Sequence, residues 1–88
     1  MQSVESGVPI NISSSGAISL VSGQLLGFYV NSTSSGTIVL RNGGSGGTAI
    51  SGTITPAIGF HRFPAYCTNA CYATLANTID ATFFFSAG

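Results

Sequence analysis

Apolar residues in this chain recur in short alternating runs, with Ser, Thr, Gly or Asn between them, a period of two that fits extended strands and no amphipathic helix. Val8-Pro-Ile10-Asn-Ile12 shows it first, and Gly16-Ala-Ile18-Ser-Leu20-Val21 repeats it after the Ser13-Ser14-Ser15 break. Pro9 marks the first run as an edge strand, because proline cannot donate to a ladder. Glu–Lys pairs that would support a helix are absent, and β-branched residues and glycine dominate each window.

Gln24–Asn31 reads as a central strand, with Leu26, Phe28 and Val30 on one face and Leu25, Gly27 and Tyr29 on the other. Ser32–Gly36 reads as a turn, and Thr37–Arg41 follows as a strand with Ile38 and Leu40 in one phase. Asn42-Gly43 opens a glycine-rich hairpin tip that leads into Thr48–Ser51. Gly52–Pro56 continues or pairs again, Ala57-Ile58-Gly59 turns the chain into Phe60–Pro64, and Cys71–Leu75, joined through Ala76-Asn77 to Thr78–Phe85, closes the sequence. About eight short strands with turn signals between them predict an all-β fold, an antiparallel β-sandwich or jelly-roll-like barrel. Residues 8–88 form a single domain preceded by a flexible N-terminal arm, residues 1–7. The expected core is Leu26, Phe28, Val30, Ile38, Leu40, Ile54, Leu75, Phe83 and Phe85.

Charge is scarce. Glu5, Arg41, Arg62 and Asp80 are the only ionised side chains, 5% of the 88 residues, and the net charge is zero. That balance provides no basic footprint for nucleic acid or for an anionic membrane surface. Mean hydropathy is +0.48, yet no apolar run approaches the roughly 20 residues of a spanning helix. Met1–Glu5 has neither the basic nor the apolar stretch of a secretion signal, so the expected site of synthesis and use is the cytoplasm. A domain this small buries only about 60% of its unfolded surface. A nearly uncharged surface also promotes association. Together these point to a component of an assembly.

No motif carries catalytic chemistry, and the chain is read as non-enzymatic, with no cofactor and no metal. Gly43-Gly-Ser45-Gly-Gly47 spells a hydrolase elbow, but that motif needs a following helix and here strands flank it. Ser45 with His61 and Asp80 is therefore not a triad. His61 with Cys67 and Cys71 leaves zinc short of four ligands. Cys67-Thr-Asn-Ala-Cys71 places three residues between two strands. If those strands pair, the cysteines can face each other within disulfide reach, or stay as two buried thiols in a reducing compartment. Asn11-Ile-Ser13 and Asn31-Ser-Thr33 match the glycosylation sequon and are read as turn and strand-end polarity. Asp80, set in a strand between Ile79 and Ala81, must face solvent or find a partner, with Arg62 or Arg41 as candidates.

The run Ser22–Leu40, then Gly52-Thr-Ile-Thr-Pro56, Ala70–Leu75 and Ala81-Thr-Phe-Phe-Phe85, resembles small structural proteins of tailed bacteriophages, over the span Ser22 to Phe85. The resemblance implies a virion protein with a β-sandwich fold, assembled in the host cytoplasm. It would be a decoration or cement protein that binds the outside of the head, bridges copies of the major capsid protein and often forms a trimer. The sequence departs from acidic decoration proteins by lacking charge. Interface candidates are Val8, Pro9, Arg41, Phe60, His61, Arg62, Phe63, Tyr66 and Tyr72, with homo-oligomerisation through the N-terminal arm and a sheet edge. A carbohydrate-binding or other adhesion module, tail- or fibre-associated for example, is the alternative, with His61, Phe63, Tyr66 and Tyr72 stacking on sugar rings.

Overall fold

The computed structural model describes residues 7–88. These form one antiparallel sheet of six strands, with no helix among the described residues. The strands are β1 (Val8–Ile12), β2 (Gly16–Ser19), β3 (Gly23–Asn42), β4 (Thr48–Ala49), β5 (Gly59–Cys67) and β6 (Cys71–Ala87). The N-terminal arm expected at residues 1–7 lies outside the described residues except for Gly7.

Two strands are much longer than expected. β3 has 20 residues and β6 has 17, and they pair along their whole length, from Gly23↔Ala87 to Asn42↔Cys71. At about 3.3 Å per residue a straight strand the length of β3 would span roughly 65 Å. The longest extent of the molecule is 38 Å. The ladder is therefore bent, and the bend lies where turns were expected. Ser35 and Asn77 adopt left-handed backbone angles, φ 57° and φ 61°, on opposite strands. The register slips between Ser34 and Ser35. The Asn77 side-chain amide donates to the Ser35 carbonyl at 2.8 Å, and the Gly36 N–H donates to Thr33 Oγ1 at 3.0 Å. A side chain at Gly36 would collide with Ile79 and the Thr78 carbonyl, so the waist closes only around glycine.

The bend explains why six strands stand where about eight were expected. Gln24–Asn31 and Thr37–Arg41 are two arms of β3, and Cys71–Leu75 and Thr78–Phe85 are two arms of β6. β1 and β2 border successive arms of β6, with Ser13–Ser15 between them at the waist. There the Ser15 hydroxyl both accepts from the Leu75 N–H (2.8 Å) and donates to the Leu75 carbonyl (3.1 Å). On the far border of β3, β5 pairs with the first arm, and β4 with Ile50 and Ile54 covers the second. The hairpin after Asn42-Gly43 is present, Arg41↔Ala49 and Asn42↔Thr48. The Gly52–Pro56 segment makes only a single bridge, Ile38↔Ile54.

The core fills the space between the arms. Leu25, Phe28, Val30, Ile38, Leu40, Ala73, Ile79, Ala81, Phe83 and Phe85 belong to one buried cluster, joined by Ile18, Cys67 and Cys71. Ile54 and Leu75 are only partly buried against it. Leu25 was expected on the opposite face from Phe28. A bulge between Leu25 and Gly27 shifts the phase by one residue, so Leu25, Phe28 and Val30 all face inward. Leu26, at the bulge, is buried as well.

Phe83 is fully buried and its ring lies 5.5 Å from Phe28. Truncation to alanine is expected to lose about 3–5 kcal/mol of stability. The same truncation at the exposed Phe60 is expected to lose under about 1 kcal/mol. Urea melts of Phe83→Ala and Phe60→Ala measure the contrast, and equal losses would mean that the inner and outer faces are misassigned.

Candidate binding face and the cysteine seam

β5 and β6 are consecutive but are not neighbours in the sheet. Cys67 pairs with Gly23 and Cys71 with Asn42, the opposite ends of β3. The hairpin geometry expected for Cys67-Thr-Asn-Ala-Cys71 is therefore absent, and the three-residue link instead joins the two ends of the bent sheet. Side chains hold it there. Asn42 Nδ2 donates to Thr68 Oγ1 (2.8 Å), the Asn69 N–H donates to Asn42 Oδ1 (3.0 Å), and the Gly43 N–H donates to the Ala70 carbonyl (2.8 Å). Both cysteines are free, fully buried thiols that meet across this seam. Burial raises the Cys71 pKa well above the ordinary thiol range, and the hydrogen bond and charge of Cys67 add to it.

The outer surface of the first arm is organised differently. Across it, in register, lie Asn11, Thr82, Tyr29 and Phe60, and the next row holds Pro9, Phe84, Gly27 and Arg62. Gly27 has no side chain between its neighbours, and a Cβ there would come within 3.1 Å of the Phe60 ring. The gap lets Phe60 and Phe84 meet edge to face, with centroids 6.0 Å apart. Tyr29, Phe60 and Tyr66 are exposed on this face, beside exposed Arg62.

Toward the waist the same face becomes polar. Asn11 Nδ2 donates to Asp80 Oδ1 (2.8 Å) and lies 3.0 Å from Thr82 Oγ1. From the other side Asn31 Nδ2 reaches the same two atoms at 3.0 and 3.1 Å. Asn31 sits at a register slip between Val30 and Ser32, and bulges of this kind re-aim a side chain. The partners of Asp80 are therefore two amides and not an arginine. Arg41 is committed elsewhere, its Nε donating to Thr74 Oγ1 at 2.9 Å and its Nη1 to the Gly47 carbonyl at 3.2 Å.

The expected interface residues do not form one patch. Phe60, Arg62 and Tyr66 share the outer face of β5, and Val8 and Pro9 are exposed on β1. Arg41 and Tyr72 pair on the other arm and are half-buried. His61 and Phe63 take the inward phase of β5. His61 stacks on Phe28 at 5.3 Å, and its Nε2 lies 2.7 Å from the Ala57 carbonyl, so it offers no platform for a sugar. Ser45 sits at the glycine-rich tip between β3 and β4, and the hydrogen bonds of His61 and Asp80 go to Ala57 and to the two asparagines, not to Ser45. Among the described residues no three His, Cys, Asp or Glu side chains converge as a metal set. Exposed Tyr29, Leu20 and Val21 and half-buried Phe84 are surface features that the period-two pattern does not single out. Asn11 and Asn31, expected only as turn and strand-end polarity, lie within β1 and β3 and hydrogen-bond Asp80.

Comparison with known proteins finds no family model that matches the chain, no similar curated protein and no similar solved structure.

The raised Cys71 pKa has a definite sign in stability. Between the ordinary thiol value of 9.0 and the higher folded value, the unfolded chain has lost the proton and the folded one keeps it, so stability falls as pH rises through that window. Cys71→Ala is expected to flatten this alkaline loss relative to the parent, in melts between about pH 8 and pH 10.5. Parallel curves would show that burial of the Cys71 thiol does not set the slope.

Proposed function

We propose that the chain is a structural protein of a tailed-bacteriophage particle, a β-sandwich module that sits on the outside of the head and bridges copies of the major capsid protein. The bent sheet with one core between its arms supports the sandwich description. The resemblance over Ser22–Phe85 supports the virion setting.

The observation that carries the reading is the turn between β2 and β3. Leu20 is 84% exposed and Val21 54% exposed, on a molecule with very few charges. The turn is closed by its own hydrogen bonds, since the Ser19 hydroxyl accepts from the Val21 N–H (3.1 Å) and donates to the Val21 carbonyl (2.9 Å). Close to it, the Gly88 N–H donates to the Ser22 carbonyl and Tyr66 Oη donates to the Gly88 carbonyl, both at 3.1 Å. Apolar side chains presented on an ordered turn suit docking with little loss of conformational entropy. Strand addition is a poorer route, because Pro9 and Pro64 each remove a donor from a border of the first arm. Faces and turns then carry the contacts between copies and to the shell.

Burial must supply the affinity, since exposed ion pairs contribute only about 0–1 kcal/mol each. A stable contact takes about 800 Å² per partner, a modest part of the 4664 Å² of surface. Repetition over symmetric sites multiplies weak contacts. Particles carrying the protein are expected to retain it when salt rises from about 0.1 M to 1 M, which shortens the Debye length from about 10 Å to 3 Å. A Leu20→Ser, Val21→Ser double variant should fold but fail to co-sediment with stripped particles. Salt-induced release, or full rebinding of the double variant, would rule this mechanism out.

A further inference from the structure

We propose that the outer face of the first arm is a carbohydrate site, in which Tyr29 and Phe60 stack on a neutral hexopyranose and Asp80 binds its hydroxyls. This inference does not rest on the virion reading, and it uses different residues from the Leu20–Val21 turn.

A pyranose presents a strip of C–H groups on one face and hydroxyls, each both donor and acceptor, around its rim. A matching surface needs an exposed aromatic ring beside acceptors and donors already held in place. Tyr29 pairs directly with Thr82 on one side and Phe60 on the other, and Asp80 and Asn31 lie one step further along the same face. Neighbouring strands are about 4.8 Å apart. Asp80 is one strand across and two residues along from Tyr29, a backbone diagonal of roughly 8 Å, so the Tyr29 ring and the carboxylate can border the same sugar unit, with Phe60 one strand beyond Tyr29.

The polar side is preorganised. Both amides donate to Asp80 Oδ1, and Oδ2 takes no hydrogen bond among the described residues, so one carboxylate oxygen is open to a hydroxyl donor. The amide oxygens of Asn11 and Asn31 make no hydrogen bonds among the described residues either, although both side chains are exposed. Tyr29 is 43% and Phe60 55% exposed, rings that a partner can still cover. The Asp80 charge disfavours acidic sugars, which is why a neutral hexose is specified.

The test is an amide chemical-shift titration of the full chain with methyl β-glucoside, methyl β-galactoside, methyl α-mannoside and N-acetylglucosamine, each to roughly 50 mM, enough to saturate a Kd on the order of 1 mM. At least one should shift resonances of Tyr29, Asn31, Phe60, Asp80 and Thr82 and leave those of Leu20 and Val21 unmoved. Asp80→Asn and Tyr29→Leu should each weaken that binding at least about tenfold while the remaining spectrum stays native. No shifts with any of the sugars, or unchanged affinity in both folded variants, would overturn the proposal. If Asp80→Asn fails to fold, Tyr29→Leu alone decides it.

Discussion

A strand of 20 residues has no room to stay straight in a molecule 38 Å long, and the place where the β3–β6 ladder bends organises everything else. Ser35 and Asn77 take left-handed angles there, at a cost of roughly 1–2 kcal/mol for an ordinary residue and less for asparagine. Two local hydrogen bonds, Asn77 to the Ser35 carbonyl and the Gly36 amide to Thr33, return about 0.5–1.5 kcal/mol each. The bend is thus close to neutral by itself. What it gains is burial. Phe28, Phe83 and Ile79 find Ile38, Leu40 and Ala73 in the same cluster only because the arms fold toward each other.

The hydroxyl-rich composition has a structural use in this geometry. At four interruptions of the ladder a serine or threonine hydrogen-bonds the backbone: Ser15 on Leu75 at the waist, Ser51 on the Leu40 amide, Thr33 on Gly36, and Ser19 on Val21. Short hydroxyl side chains suit bends because they reach neighbouring backbone groups without long, mobile stems. Among the described residues no buried side-chain nitrogen or oxygen lacks a partner. Hydroxyls thus meet backbone needs at these four places in a chain where charged side chains are scarce.

Period-two patterning made the strand content and most of the core legible, since Phe28, Val30, Ile38, Leu40, Phe83 and Phe85 occupy the buried phase their spacing predicted. What the pattern could not show was a phase change. The bulge at Leu26 turns Leu25 inward, and nothing in Gln24-Leu-Leu-Gly27 announces it. Breaks at Ser32–Gly36 and Ala76–Asn77 were visible as turn chemistry. Whether such a break reverses the chain or merely bends it depends on which strands lie beyond, a non-local matter. The same blindness hid the partners of Asp80. Asn11 and Asn31 are distant in sequence and become its neighbours only because β1 and β3 flank β6.

The two proposed surfaces sit at opposite ends of one arm. The Leu20–Val21 turn enters β3 at Gly23, whereas Asn31 and Asp80 lie near the waist, about eight strand steps or roughly 26 Å away along the strand. A partner docked on the turn would not cover the polar cluster, and a sugar on Tyr29 would not displace that partner. Gly27 sits between these ends. It is held without a side chain by the close approach of β5 to β3, and the same vacancy lets Phe60 and Phe84 meet above it. A backbone contact needed to seat an edge strand thereby also shapes the aromatic part of the outer face. A larger residue at position 27 would push on both at once, so the packing of β5 and the form of the aromatic ledge cannot vary independently.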